Sequence, residues 1–200
     1  GSGSTHRVRK WTNPEMNDDT VDEDLIKIFS NAIKAGFSHL DCAETYTTRR
    51  ELSIAIQNSG LKREDFWITD KYDQGWSVHN RPSPSPSGPR ESILKGLEIF
   101  KTNYYDLFLL HSPFYEPEMV NITLKEAWKQ LEECFEQGLV KNIGVSNFDV
   151  KNLEYIMSFA KYKPQVNQIE YNLYLQDQSE GITDYCKKNN IQLQAYCALT

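Results

Sequence analysis

The sequence predicts an α/β domain over residues 1–200, in which parallel strands and helices alternate around a barrel. Strand-like and helix-like segments follow one another at short, regular intervals, which is typical of βαβ units. Polar side chains also stand at the C-terminal ends of several different strands, where barrel enzymes place their active sites. A doubly wound open sheet would show the same alternation. No Gly-x-Gly-x-x-Gly segment follows a predicted strand, however, so the barrel is favoured.

Size and composition narrow the class of protein. The chain has 200 residues, with 25% charged and 39% hydrophobic, which suits one folded domain. A net charge of -6 argues against nucleic acid or an anionic membrane as the partner. There is no membrane-spanning run and no apolar signal-peptide core, so we expect a cytoplasmic protein. The four cysteines include no Cys-x-x-Cys pair, which favours free thiols over a disulfide framework or a zinc site.

The first half of the chain alternates helix and strand. Thr20-Val-Asp-Glu23 has the spacing of a capping box, and the apolar residues after it recur at helical intervals until Gly36. A strand is predicted over 37–43, a helix over 50–58 and a strand over 66–72.

Asp73 to Arg90 is rich in proline and serine and, taken alone, would resemble a linker between domains. Because the strand–helix alternation continues on both sides, we interpret it as a long loop inside one domain. Pro89 suits the first turn of the helix that follows, which is predicted to reach Phe100.

The second half continues the pattern. Residues 104–111 are almost all apolar, as in a strand buried on both faces. Thr123 and Glu126 form a second capping box, for a helix ending near Gln137. The remaining predicted elements are a strand at 141–148, a helix at 149–160, a strand at 165–171, a helix at 182–189 and a strand at 191–197.

Four strand-end residues have complementary chemistry. Asp41 ends one predicted strand and Tyr46 follows it, while Lys71 and His111 end the next two strands. A tyrosine normally titrates near a pKa of about 10, too high for ready proton exchange at neutral pH. A nearby ammonium lowers that pKa, and a buried aspartate keeps the ammonium charged. Such a phenol is a candidate general acid, and an imidazole would orient the oxygen that receives the proton.

Each residue also has an ordinary structural interpretation. Asp41 could cap a helix beside a half-buried Tyr46, Lys71 could extend its amine to solvent, and His111 could be a hydrogen-bonded core residue. Taken singly, these interpretations are the commoner ones. The four residues together on successive strands favour an active site.

The segments that carry these residues resemble the aldo-keto reductase family over nearly the whole chain. HLDCAETY, ITDKY and LFLLHSP match the family's catalytic tetrad in order and spacing. KNIGVSNF, PQVNQIEYN and QAYCAL resemble its signatures on strands five, six and seven. The combination is most similar to a fungal branch that includes conjugated polyketone reductases and D-arabinose dehydrogenases.

The resemblance implies a TIM barrel that reduces aldehydes and ketones with NADPH and holds no metal. It makes Tyr46 the proton donor, supported by Lys71 and Asp41, with His111 beside the substrate carbonyl. On position alone, we also expect Trp76 to line the substrate pocket.

The resemblance also implies the cofactor contacts. Ser146, Asn147 and Gln168 would hydrogen-bond the nicotinamide carboxamide, and Tyr196 would stack on the ring. Asp41 would lie beside the nicotinamide as well.

The chain departs from the family in two places. Cys197 stands where the family usually has a serine, so a good hydrogen-bonding group is lost beside the cofactor. The sequence also stops at Thr200, before the family's last strand and its basic loop for the 2′-phosphate. We therefore expect an incomplete barrel of about seven strands. One of these is present only if Gly1–Ser4, which could equally be a cloning scar, ends a native first strand.

The incomplete barrel leaves several questions open in the sequence. Nothing visible selects NADP over NAD, the substrate is not specified, and exposed strand edges would favour association into an oligomer of unknown size. Besides a carbonyl reductase, a catalytically silent barrel acting as a binding or regulatory protein is an alternative, and cofactor titration separates the two. A hydrolase would need a nucleophile–base pair or metal ligands, which the sequence does not show.

Overall fold

The computed structural model describes Lys10 and residues 20–199, and within them it forms alternating strands and helices. The predicted order of elements from residue 20 onward is confirmed except for an additional short hairpin at residues 75–82, whereas the possible strand at Gly1–Ser4 lies outside the described residues. The elements are α1 (Glu23–Lys34), β1 (His39–Asp41), α2 (Arg49–Asn58), β2 (Trp67–Tyr72), β3 (Gly75–Trp76), β4 (Arg81–Pro82), α3 (Pro89–Phe100), β5 (Leu107–Leu110), α4 (Leu124–Glu136), β6 (Ile143–Ser146), α5 (Val150–Met157), β7 (Val166–Glu170), α6 (Ile182–Lys188) and β8 (Gln192–Tyr196).

Six of the strands form one parallel sheet in the order β1-β2-β5-β6-β7-β8. The strands lie in the same order as in the chain, so the described sheet has no point at which its order reverses. A doubly wound sheet would have such a reversal, because its connections run in both directions from the middle. The sheet is therefore wound in one direction, as in a barrel, and the six described strands account for part of one.

Side chains near opposite edges of this sheet meet. The Gln168 amide on β7 donates a hydrogen bond of 2.8 Å to Asp41 on β1. The Nε2 atoms of Gln194 on β8 and His39 on β1 lie 3.3 Å apart. The first strand in the sheet thus faces the last two across its concave side, as the curvature of a barrel requires.

The core lies between the sheet and the helices. Strand β5, Leu107–Leu110, is buried along its whole length, as its continuous apolar run predicts. Ile93 of α3 and Leu131 of α4 are buried in the same core cluster. Gly144 on β6 lets neighbouring groups approach closely, because an added Cβ would lie 2.5 Å from the Val166 carbonyl oxygen.

The helix starts were predicted with one error. Thr123 and Glu126 form the expected capping box, and Pro89 occupies the first turn of α3. The first helix, however, is capped by Asp22, whose carboxylate accepts from the Asp24 and Leu25 amides, and not by Thr20. Asp22 lies inside the proposed box, and an Asp at the N-cap competes well with Thr for that role.

The structure also differs from the prediction in one extra hairpin and in element ends: several strands are shorter than predicted, and one helix ends early. The proline- and serine-rich loop contains a short antiparallel hairpin, in which Gly75 and Trp76 pair with Pro82 and Arg81. Helix α5 ends at Met157, three residues before the predicted end at Ala160. Among the described residues, no helix is both long and apolar enough to cross a membrane.

Candidate active site

The predicted catalytic side chains meet at the carboxyl edge of the sheet. Asp41 is the last residue of β1, Lys71 lies near the end of β2, and His111 follows β5 directly. Tyr46 sits on a short 3-10 turn, Glu44–Tyr46, that follows β1. Because parallel strands end at one edge, three strand ends and one turn bring the four groups together.

Lys71 forms the buried centre of this group. Its Nζ lies 2.8 Å from Asp41 Oδ1 and donates a second 2.8 Å hydrogen bond to the Cys42 carbonyl oxygen. The Lys71 side chain is completely buried, which opposes its charge, but Asp41 and Tyr46 nearby raise its pKa above the ordinary value. Burial likewise opposes the charge of Asp41, but the Lys71 ammonium and the hydrogen bonds from Lys71 and Gln168 hold the Asp41 pKa below its ordinary value. An ion pair therefore persists at neutral pH.

The Tyr46 phenol lies over the Lys71 ammonium, and the His111 imidazole lies against the phenol. Lys71 Nζ is 5.2 Å from the centroid of the Tyr46 ring. The His111 ring meets Tyr46 edge to face, with centroids 5.6 Å apart and planes at 81°. The His111 ring also meets the Trp76 ring edge to face, with centroids 5.9 Å apart. The structure thus brings together all four tetrad residues and the predicted pocket tryptophan.

The residues expected to bind a cofactor occupy the strands on the other side of the mouth. Asn147 donates 3.0 Å to the His111 carbonyl and accepts a 2.8 Å hydrogen bond from the Tyr196 hydroxyl. Ser146 Oγ donates 2.9 Å to the Gln168 carbonyl. Asn147 has a left-handed backbone with φ of 63°, a conformation that asparagine adopts more readily than most residues. These bonds fix the orientation of an amide, a hydroxyl and an aromatic ring.

One cavity of about 760 Å³ connects both groups of residues. Its walls include Asp41, Tyr46 and His111 from the tetrad, together with Trp76 and the exposed Cys197. Ser146, Asn147, Gln168 and Tyr196 also line it. The volume lies within the range of about 300–1,000 Å³ typical of small-molecule sites. Among the described residues, no cluster of His, Cys, Asp or Glu has an arrangement that could hold a metal ion.

A second layer of buried charges lies behind the site and was not predicted from the sequence. Arg49 Nε lies 2.9 Å from Asp70 Oδ2, and Arg49 Nη1 lies 3.7 Å from Glu44 Oε1. Gln178 also donates a 3.2 Å hydrogen bond to Asn147 from the loop after β7. Glu44 and Asp70 lie inside the segments HLDCAETY and ITDKY, so their positions in the sequence could have indicated that they lie near the site. Their burial, however, depends on residues distant in the chain.

Comparison with known proteins agrees with this geometry. The family model described as the aldo/keto reductase family matches residues 10–200. The NADPH-dependent alpha-keto amide reductase of Saccharomyces cerevisiae is 39% identical over 191 residues, which cover 95% of this chain and 59% of that protein. The NAD/NADP-dependent indole-3-acetaldehyde reductase of Schizosaccharomyces pombe is 32% identical, with 90% of this chain and 60% of that protein covered. The chain therefore spans about 60% of the length of these relatives.

Solved structures give the same result for the fold. An aldo/keto reductase from Brucella melitensis superimposes with a TM-score of 0.72 at 30% identity, covering 90% of this chain and 65% of that one. The aldose reductase of Giardia lamblia gives a TM-score of 0.73 at 31% identity, with 88% and 61% covered. The sheet described above is accordingly part of a (β/α)8 barrel. With the family model matched over residues 10–200, this chain belongs to the aldo/keto reductase family.

Proposed function

We propose that this chain carries the active site of an NADPH-dependent carbonyl reductase, which converts aldehydes or ketones to alcohols. The observation that carries the proposal is the buried Lys71–Asp41 pair beneath the Tyr46 ring, at a cavity lined by Asp41, Tyr46 and His111. A buried ammonium next to a phenol has a direct use in proton transfer. The intact arrangement argues against the alternative of a silent binding protein.

Tyr46 is the proposed general acid. The Lys71 ammonium near its ring stabilises the phenolate that remains after the proton has left, which makes the transfer easier at neutral pH. Asp41 holds the ammonium in place and keeps it charged. His111, at the edge of the Tyr46 ring, would hydrogen-bond the carbonyl oxygen and orient it toward the phenol.

The opposite wall of the cavity fits a nicotinamide. A carboxamide needs both hydrogen-bond donors and acceptors, and Ser146, Asn147 and Gln168 present both kinds at the cavity wall. The half-buried Tyr196 ring, fixed by its 2.8 Å bond to Asn147, offers a flat surface for stacking. When bound there, NADPH supplies the hydride. These side chains bind and orient it, and Asp41 lies beside them through its hydrogen bond from Gln168.

The substrate would enter on the side of Trp76 and His111, whose rings contact each other. Relatives are named for an alpha-keto amide, for indole-3-acetaldehyde and, at 34% identity in Bacillus subtilis, for glyoxal. We infer a small carbonyl compound, and these three compounds make a suitable test panel.

The test follows loss of NADPH absorbance with this panel for the wild-type chain and for Tyr46→Phe. We expect Tyr46→Phe to abolish turnover, because only the proton donor is lost, while the dissociation constant for NADPH changes less than about twofold. Tyr174→Phe, at a side chain 89% exposed, is the matched control and should leave turnover unchanged. A Tyr46→Phe variant that keeps the wild-type rate would overturn the role given to this phenol.

A further inference from the structure

A buried carboxylate connects the turn that carries Tyr46 to the hairpin that carries Trp76. Glu44 opens the 3-10 turn that ends at Tyr46, and it is only 7% exposed. Glu44 Oε1 accepts a 2.6 Å hydrogen bond from Ser85 Oγ, and its Oε2 accepts a 3.3 Å bond from the Asp73 amide. Asp73 and Ser85 lie on either side of the hairpin. One carboxylate therefore holds both ends of it.

Further hydrogen bonds connect the two ends of the hairpin at its base. Ser83 Oγ donates 2.5 Å to the Asp73 carbonyl, and the Ser83 amide donates 2.9 Å to the Met119 carbonyl in the segment before α4. The Gly75 amide donates 3.0 Å to the Asp73 carboxylate. The tip of the hairpin, at residues 77–80, and Pro82 are exposed, whereas residues 73–75 and Ser83 are buried. The hairpin is thus fixed at its base, where Glu44 binds it.

Glu44 is itself held from behind. Arg49 Nη1 lies 3.7 Å from Glu44 Oε1, while Arg49 Nη2 donates 3.0 Å to Ser92 on α3. Arg49 is also paired with Asp70, which lies on β2 directly before Lys71. This places the guanidinium between the Tyr46 turn, the strand of Lys71 and helix α3. A buried carboxylate needs such a partner, because burial without one opposes its charge.

We propose that Glu44 is a positioning residue that sets the separation between the Tyr46 phenol and the Trp76 wall, and so determines which carbonyl substrates fit between them. The proposal rests on the function proposed above. Tyr46 and Trp76 both line the cavity, and the rings of both contact the His111 ring. A shift of the hairpin relative to the turn would change the width of the pocket next to the reacting carbonyl. Bulky substrates should register such a shift more strongly than slender ones.

Ser85→Ala is the sharpest test, because it removes the short bond to the hairpin and leaves Glu44, Arg49 and Tyr46 in place. We expect the ratio of kcat/KM between a bulky aromatic aldehyde and a slender aliphatic one to change about tenfold. A tenfold change is expected if the free energy of one hydrogen bond to a charged group is expressed as discrimination between the two substrates. The change should arise in KM, with the dissociation constant for NADPH unaltered. Ser85→Thr, which keeps the hydroxyl, should restore the ratio, and Glu44→Gln should shift it in the same direction as Ser85→Ala.

Ser87→Ala is the matched control, because Ser87 lies on the same loop, is exposed and does not contact Glu44. A second readout does not depend on turnover. In a chain labelled with 5-fluorotryptophan, the fluorine resonance of Trp76, assigned from Trp76→Phe, should shift or broaden in Ser85→Ala and not in Ser87→Ala.

The two readouts separate failure of this inference from failure of the proposed function. Suppose the wild-type chain reduces no carbonyl, but the Trp76 resonance changes in Ser85→Ala as expected. The reductase function and the substrate role would then be refuted, while the link from Glu44 through Ser85 to the hairpin would stand. An unchanged Trp76 resonance together with an unchanged substrate ratio in folded Ser85→Ala would overturn the inference itself.

Discussion

At the scale of single residues, the most important interaction is the buried ion pair between Lys71 and Asp41. Lys71 is completely buried, and an ammonium without a counter-ion in such a place would be strongly unfavourable. Asp41 and the Cys42 carbonyl offset that cost with two 2.8 Å contacts. The pair therefore matters for stability as well as for the proposed proton transfer.

We predict that Asp41→Asn lowers the free energy of unfolding by about 3–5 kcal/mol, the usual effect of removing one member of a buried ion pair. Urea unfolding at neutral pH measures it. The control is Asp24→Asn, which removes an exposed carboxylate from its 3.3 Å pair with Lys27 and should cost less than about 1 kcal/mol. Equal effects from the two variants would contradict the importance given to the buried pair.

Asp73 gives a pH dependence of stability. Burial, followed by the nearby charge of Glu44, raises the pKa of Asp73 to about 6, against bonds from Gly75 and Thr45 and the charge of Arg81, which lower it. The folded state therefore holds this proton more tightly than the unfolded chain. The stability that Asp73 contributes is complete below pH 4 and is lost as the pH rises through 6, with a total of about 3 kcal/mol.

Comparing wild type with Asp73→Asn in urea unfolding between pH 4 and 7 isolates this contribution. We expect the difference in unfolding free energy between the two proteins to change across this range, with wild type losing stability relative to the variant as the pH rises. A constant difference would show that the Asp73 pKa is the same in the folded and unfolded states.

At the scale of elements, close approach between strands depends on one glycine. Gly144 on β6 faces the Val166 carbonyl of β7, and an added Cβ would lie 2.5 Å from that oxygen and 2.9 Å from Leu109 Cδ2. Backbone and a buried leucine cannot give way easily. The KNIGVSNF segment thus needs a residue without a side chain at this position.

Gly144→Ala should accordingly destabilise the protein by about 2–3 kcal/mol, as overpacking of a close-packed interior does. Thermal unfolding followed by circular dichroism provides the measurement. A melting temperature within one degree of wild type would mean that β6 and β7 can separate without cost. That result would contradict the requirement for glycine at position 144.

The sequence predicted the large elements well and the small ones poorly, for physical reasons. Apolar runs such as Leu107–Leu110 and capping residues such as Thr123 and Asp149 act locally, so their effect is visible in the sequence. The hairpin at residues 75–82 is held by Glu44 and Met119, which are distant in the chain. A proline- and serine-rich composition does not indicate contacts with distant residues. The sequence therefore predicts only a loop in this segment.

The candidate site shows the same contrast. The tetrad residues were predictable because each lies at or just beyond the carboxyl end of a strand, and because the parallel topology brings these ends to one edge. The buried partners Glu44, Arg49 and Asp70 were not, since a charged residue is usually expected at the surface and only tertiary packing shows it buried. Sequence patterns thus located the proposed reacting groups, and the structure added the residues that hold them.

At the scale of the whole molecule, the site depends on the curvature of the sheet. The Gln168–Asp41 bond joins residues on β7 and β1, strands that are not neighbours in the sheet. It therefore connects the proposed cofactor wall to the proposed proton-donor wall. Binding that involves both walls should stabilise the entire sheet and not a single element.

A ligand that binds the folded state but not the unfolded state should therefore raise the free energy of unfolding of the whole domain. At a concentration 100 times its dissociation constant, NADPH should add about 2.7 kcal/mol to the free energy of unfolding. Thermal unfolding at several NADPH concentrations measures this. Gln168→Ala should reduce the gain, because it removes a group from the cofactor wall and the link to Asp41. A melting temperature independent of NADPH would contradict the cofactor assignment.

The central claim is that the cofactor delivers hydride to the carbonyl carbon, while Tyr46, supported by Lys71, Asp41 and His111, delivers the proton to the carbonyl oxygen. The most direct measurement uses NADPH in which the transferable hydrogen on C4 of the nicotinamide is replaced by deuterium. The mass of the alcohol product is then determined by mass spectrometry. The claim predicts one deuterium in the alcohol made by the wild-type chain and no alcohol with Tyr46→Phe, even when the cofactor is bound. An unlabelled alcohol from wild type, or a labelled one formed at the wild-type rate by Tyr46→Phe, would contradict it.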